Sequence, residues 1–206
     1  MEENKANIDF EGKEAMYGEV YFLRAYYYFE LVKFFGDVPL FTEARLTAGQ
    51  AGTLTRTPKD EVYAQIELDL QNAIASLPNS QSQVGRVNKY TAYALLGKVL
   101  LYQDKFAEAA SALDNVIGVY SLVSDYGSQF LRFGENGPES VFEIQYSNQS
   151  NWYDWGCAHC SEGSYAIIMN GPRGWSGPEY AQGWSFNVPT EEFYNCLLYT
   201  SPSPRD

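Results

Sequence analysis

The sequence predicts an all-α chain in which tetratricopeptide-like helical pairs carry a long, irregular, Gly/Trp-rich insertion. Three observations lead there. Four stretches between residues 13 and 119 repeat apolar residues at steps of three and four. Two of these match the residue pattern of a tetratricopeptide repeat. Past Tyr120 the periodicity ends, and 8 of the 17 glycines and all four tryptophans fall within Gly134–Trp184. The implied plan is a frayed segment over residues 1–12 and a helical scaffold over 13–120. An irregular aromatic-rich region of the same domain spans 121–196, and a non-native tail spans 197–206.

The first helix is expected from Lys13 to Phe35. Thirteen of the sixteen residues from Val20 to Phe35 are apolar or aromatic. Met16, Val20, Leu23, Tyr27, Leu31 and Phe34 recur at helical spacing, yet Phe22, Tyr26, Tyr28, Phe29 and Phe35 lie off that stripe. A helix apolar nearly all round is expected to be buried among other helices. Arg24, Glu30 and Lys33 interrupt the run, which is too short to span a membrane. Arg24 reads as a structural cation paired to Glu30 or to a backbone carbonyl. Gly36 ends the helix and Pro39 prevents a restart.

Residues 42–56 are small and polar, and predict a loop. Thr57-Pro58-Lys59-Asp60 predicts a helix start with Thr57 as N-cap and Pro58 at the first helical position. This second helix carries Val62, Ile66, Leu70, Ala73, Ile74 and Leu77 on one face and stops at Pro78. A third helix is expected from Asn88 to Tyr102, a turn at Asp104-Lys105, and a fourth helix from Phe106 to Val119. Tyr93, Leu96, Gly97 and Leu100, then Ala109, Leu113 and Val116, occupy the repeat's bulky and small positions. Gly97 and Ala109 allow close helix approach. The first and second helices form a looser copy, with Tyr21, Ala25 and Tyr28 in the places of Tyr93, Gly97 and Leu100. Beyond the helices, Glu139–Tyr146 alternates enough to predict a short strand.

The formal net charge is −12. Residues 1–105 hold 11 Lys/Arg against 14 Asp/Glu, and residues 106–206 hold 3 against 12. Such a surface repels phosphate backbones and anionic membranes, which excludes nucleic acid and favours a neutral ligand. No apolar leader opens the chain, which begins MEENKANIDF.

The Trp-rich window holds the strongest binding signal. Trp152, Tyr153, Trp155 and Trp175 sit among glycines and polar groups, with Asp154 and Arg173 beside them. Aromatic faces stack on the C–H faces of sugar rings while neighbouring polar groups bond the hydroxyls. These six residues form the candidate carbohydrate-binding set. The competing reading is that such aromatics plug a small core beneath the loops; Trp184 and Phe186, which precede a capped helix start, lean that way. Cys157-Ala158-His159-Cys160 could be half a zinc site, but no second cysteine pair exists and His159 is the only histidine. A local disulfide or inert thiols is favoured over metal, and metal over redox chemistry. No metal or cofactor is expected. Nor is catalysis. A lone histidine in a glycine-rich loop does not make a nucleophile–base pair. Asp154, Glu162 and Glu179 lack the fixed framework that glycoside hydrolysis needs.

Several stretches resemble the SusD/RagB family, surface glycan-binding lipoproteins of Bacteroidetes-type bacteria. They are FLRAYYYFELVKFFGDVPLF, RTPKDEVYAQIELDLQNAIASLP, GRVNKYTAYALLGKVLLYQDKFAEAASALDNVI, PESVFEIQYS and GWSFNVPTEEFYN. The resemblance covers about residues 13–195 and implies a SusD-like fold. It also implies an oligosaccharide or polysaccharide ligand, handed without bond cleavage to a SusC-like TonB-dependent transporter at the outer membrane. In the family the helical repeats chiefly pack against that transporter, and a lipid anchor far upstream provides the only membrane attachment. The chain is accordingly expected to be an internal fragment of a longer protein, with CLLYTSPSPRD departing from the family pattern as a translated adapter scar. The alternative is a tetratricopeptide-type protein–protein interaction scaffold. One clean repeat beside a long Gly/Trp region favours the glycan reading.

Overall fold

The computed structural model describes residues 9–43, 46–147, 163, 165–175, 177 and 183–200. Its helices are α1 (Lys13–Phe35), α2 (Ala48–Ala51), α3 (Lys59–Ser76), α4 (Lys89–Leu101), α5 (Phe106–Asp114), α6 (Tyr165–Asn170) and α7 (Glu191–Thr200). No strand occurs among the described residues; they hold only the isolated bridges Val38–Thr57 and Ile117–Tyr120. Nor is any helix among them long and apolar enough to cross a membrane. Two compact units divide the chain, Met1–Ile144 and Gln145–Asp206.

In the first unit α1 packs on α3, α3 on α4, and α4 on α5. The pair α1 and α3 runs antiparallel. Gly18 near the start of α1 meets Ser76 and Leu77 at the end of α3, and Asp37 past the end of α1 meets Lys59 at the start of α3. The core is built from Phe22, Ala25, Phe29 and Val32 of α1, Val62, Ile66, Leu70 and Ala73 of α3, and Ala92, Leu96, Val99 and Leu100 of α4. Glycines set the closest approaches. A Cβ on Gly97 would lie 2.5 Å from Leu113 Cγ, and one on Gly18 would lie 2.8 Å from Leu77 Cγ. The repeat positions read from the sequence therefore pack α4 on α5 as expected.

The bounds of α1 match the expectation, but its buried face does not. The buried residues are Gly18, Phe22, Ala25, Phe29 and Val32. Met16, Leu23, Tyr27, Leu31 and Phe34 are exposed, Tyr27 at 63% and Phe34 at 76%. The helix is apolar on both sides, and among the described residues α3 and α4 cover only one. Arg24 is paired to a backbone carbonyl as expected, that of Thr42, but its carboxylate partner is Asp69 of α3, while Glu30 bonds Lys33.

Local starts and stops differ where side chains compete for the backbone. Pro58, not Thr57, is the N-cap of α3. The first amide of the helix, Lys59 N–H, donates to Asp37 Oδ1 at 2.8 Å. Thr57 is engaged elsewhere: its N–H donates to the Val38 carbonyl at 2.9 Å, and its Oγ1 accepts from Leu40 N–H. These bonds form a neck that closes residues 38–57 into a loop. Inside it α2 forms where only a loop was expected, because Thr47 and Gln50 make a reciprocal capping box. The helix expected to start at Asn88 does so with Asn88 as its N-cap, accepting from Thr91 N–H at 3.0 Å. The helix expected to reach Val119 stops at Asp114. Asn115 Nδ2 donates back to the Ser111 and Ala112 carbonyls, and Gly118 adopts a φ of +84°.

The strand expected over Glu139–Tyr146 does not form, since no neighbouring strand among the described residues offers a ladder. The segment is instead pinned to the helices. The Val141 carbonyl accepts from Thr91 Oγ1 at 3.0 Å, and Phe142 meets Phe22 edge-on at 5.7 Å. In the second unit, α7 continues through Leu197–Thr200, a stretch expected to lack helix.

Candidate functional site

Of the six residues in the candidate carbohydrate set, Trp152, Tyr153, Asp154 and Trp155 lie outside the described residues, as do Cys157, His159 and Cys160. Arg173 and Trp175 are described; Arg173 belongs to a cross-braced corner of the second unit, and Trp175 follows it by two residues. Segments 169–175 and 183–187 are laced by three backbone hydrogen bonds. Gly183 N–H donates to the Pro172 carbonyl at 3.0 Å, Ser185 N–H to Gly171 at 3.0 Å, and Phe186 N–H to Met169 at 2.8 Å. Gly183 is required here: a Cβ would fall 2.4 Å from Gly171 Cα.

Ser185 holds the corner from within. Its φ of +54° lies in the left-handed region that a non-glycine residue rarely adopts. Its Oγ accepts from Arg173 N–H at 2.8 Å and donates to the Gly171 carbonyl at 3.2 Å. Arg173 then closes the brace from outside. Its Nε and Nη2 both donate to the Trp184 carbonyl, at 3.1 and 2.7 Å. Asn187 Nδ2 adds a bond to Asn170 Oδ1 at 3.0 Å.

The corner carries aromatic surface. Trp184 and Phe186 flank Ser185 with ring centroids 5.3 Å apart and planes at 65°. Trp184 is 40% exposed and Phe186 57% exposed, so neither is the core plug the sequence suggested. The indole of Trp175 is exposed and lies against Gly177, where a Cβ would sit 2.8 Å from Cζ2. Arg173 is thus joined to the one tryptophan that its position before a helix start had assigned to the core. The missed signal lay in the sequence: Trp184 follows Gly183 and belongs to the same Gly/Trp-rich window. Among the described residues no group of three or more His, Cys, Asp or Glu side chains could hold a metal ion.

The chain is similar to known proteins across nearly its whole length. The family model described as "Starch-binding associating with outer membrane", SusD-like, matches residues 1–101. SusD-like protein P2 of Formosa agariphila is 33% identical over 199 residues, which cover 94% of this chain and 37% of that protein. A solved laminarin binding SusD-like protein superposes with a TM-score of 0.82 at 35% identity, covering 93% of this chain and 45% of the other. Surface glycan-binding protein A of Bacteroides thetaiotaomicron, solved with laminarihexaose, superposes at 0.75 with 27% identity, covering 89% of this chain and 39% of the other. The chain spans about two fifths of the length of these relatives. On the all-helical scaffold, the similarity in sequence and the superposition, this chain belongs to the SusD-like family.

Proposed function

We propose that the chain acts within a surface-exposed glycan-binding protein of the outer membrane, one that captures a neutral oligosaccharide and passes it to a SusC-like TonB-dependent transporter. It cleaves no bond. Binding rests on stacking and hydrogen bonding through Trp152, Tyr153, Asp154, Trp155 and Trp175, with Arg173 bracing the adjacent corner. The observation that carries this reading is the superposition of 93% of the chain on a laminarin binding SusD-like protein. The exposed Trp175 and the braced aromatic corner around Arg173 support it chemically.

Charge points to the ligand class. Arg173 is the only Lys or Arg between residues 133 and 204, and its guanidinium is already directed at a backbone carbonyl. A polyanionic glycan finds no cationic cluster in that stretch of sequence, whereas stacking on a neutral pyranose needs none. Binding is therefore expected to be nearly independent of salt.

Titration calorimetry with laminarihexaose and with an oligogalacturonate tests the reading. The neutral sugar is expected to bind and the uronic oligomer to be rejected. Trp155→Ala is expected to cost about 1–3 kcal/mol, the worth of base stacking on an aromatic ring. Preference for the uronic oligomer would contradict the charge argument. Unchanged affinity in Trp152→Ala, Trp155→Ala and Trp175→Ala would remove the site from this window.

A further inference from the structure

We propose that Trp184 is a stacking platform for a neutral pyranose ring and that Arg173 is its positioning residue. The inference rests on the carbohydrate-binding reading and adds a residue to it. Three observations carry it. Two large rings, Trp184 and Phe186, meet edge to face and are open to solvent at 40% and 57% exposure. They sit on a left-handed Ser185, a conformation that persists only where its surroundings enforce it, and such residues cluster at ligand sites. The enforcement is visible in the three backbone bonds, the bridging Ser185 hydroxyl and the forked bond from Arg173 to the Trp184 carbonyl.

A core plug would need none of this bracing, because burial alone would fix it. A binding platform does need it. A ring already immobile before the ligand arrives loses little further freedom on binding, so more of the contact energy becomes affinity. An exposed indole presents an apolar face of the size of a sugar ring, and the C–H-rich face of a neutral pyranose is its natural complement. Arg173 acts at one remove. Its two N–H groups converge on one oxygen, fixing the peptide that carries the indole. A lysine is a point donor without that planar fork.

The test is calorimetry with laminarihexaose on the whole chain and its variants, with circular dichroism melting to check folding. Trp184→Ala is expected to weaken binding about tenfold or more, as loss of a stacking ring does. Trp184→Phe, which keeps an aromatic face, should bind within about threefold of the parent, since stacking tolerates a change of aromatic ring, and lose the Trp184 share of the sugar-induced change in tryptophan fluorescence. Arg173→Lys should weaken binding severalfold, but add nothing to Trp184→Ala in the double variant. Full affinity in a folded Trp184→Ala chain overturns the platform while leaving the carbohydrate reading intact. Failure of the parent chain to bind any neutral sugar overturns both. Additive losses in the double variant overturn the positioning role of Arg173.

Discussion

Arg24 and Asp69 grip each other through two parallel hydrogen bonds, Nε to Oδ2 at 2.7 Å and Nη2 to Oδ1 at 2.6 Å. The carboxylate is 1% exposed and receives a third bond from Gln65 Nε2 at 2.9 Å. That hydrogen bonding to Asp69 also holds the guanidinium above its ordinary pKa. The two partners are not equivalent, because Arg24 keeps some contact with water and Asp69 keeps almost none. Arg24→Met strands a buried carboxylate and is expected to cost about 3–5 kcal/mol. Asp69→Leu should cost less, since the arginine can turn outward. Urea midpoints at low protein concentration will rank the two, and the reverse order would refute the asymmetry.

Glycine substitutions should change sign with their surroundings. Gly97→Ala drives a methyl to within 2.5 Å of Leu113 Cγ, and an overpacked core of this kind costs about 1–3 kcal/mol. A methyl added at Gly49, in α2, would meet nothing within 4 Å. Gly49→Ala is expected to be neutral or stabilising by about 0.5–1 kcal/mol. Thermal melts of both variants provide the comparison, with Leu113→Ala expected to relieve the Gly97→Ala defect.

Alkaline stability should depend on Tyr63. Burial raises its pKa above the ordinary tyrosine value, Tyr102 raises it further, and Lys33 partly opposes them. The folded state therefore holds this proton to higher pH than the unfolded chain does. The associated stability is complete below about pH 10 and is lost as pH rises through the folded value. Tyr63→Phe removes the titration, so its melting temperature should fall less steeply above about pH 10 than that of the parent. Parallel slopes would show that Tyr63 is not the group responsible.

The outer stripe of α1 predicts self-association. Met16, Leu23, Tyr27, Leu31 and Phe34 form an exposed apolar row along one helix, a feature that isolated soluble chains rarely tolerate. The 206-residue chain should elute from size exclusion as oligomers. Tyr27→Lys with Phe34→Glu should shift it toward monomer without lowering its melting temperature. A parent chain that stays monomeric at high concentration would count against the prediction.

Much of the scaffold was legible because its signals are local. The bounds of α1, the start of α4 near Asn88 and the close helix approach at Gly97 each follow from neighbouring residue types. The buried face of α1 was not legible from periodicity, since two stripes of similar apolarity run along one helix. Gly18 and Ala25 on the inner stripe were the discriminating clue, as small residues mark where another helix comes close. The cap of α3 was misplaced for a related reason. The acceptor of its first amide, Asp37, lies 22 residues earlier in the chain, beyond the reach of a local pattern. At the candidate site the aromatic composition was readable, but the bond from Arg173 to Trp184 joins residues 11 apart through a backbone carbonyl, which side-chain chemistry does not announce.

The neck formed by Asp37, Val38, Thr57 and Lys59 has a consequence for how the chain tolerates change. Because both ends of the segment are tied where α1 ends and α3 begins, what lies between them bears little of the helical register. Lengthening a closed loop is cheap, about 0.6 kcal/mol for each doubling. Residues 46–56 are thus a natural port for insertion: an epitope, a fluorophore-acceptor peptide or a whole grafted module could enter there while the two helices remain in step.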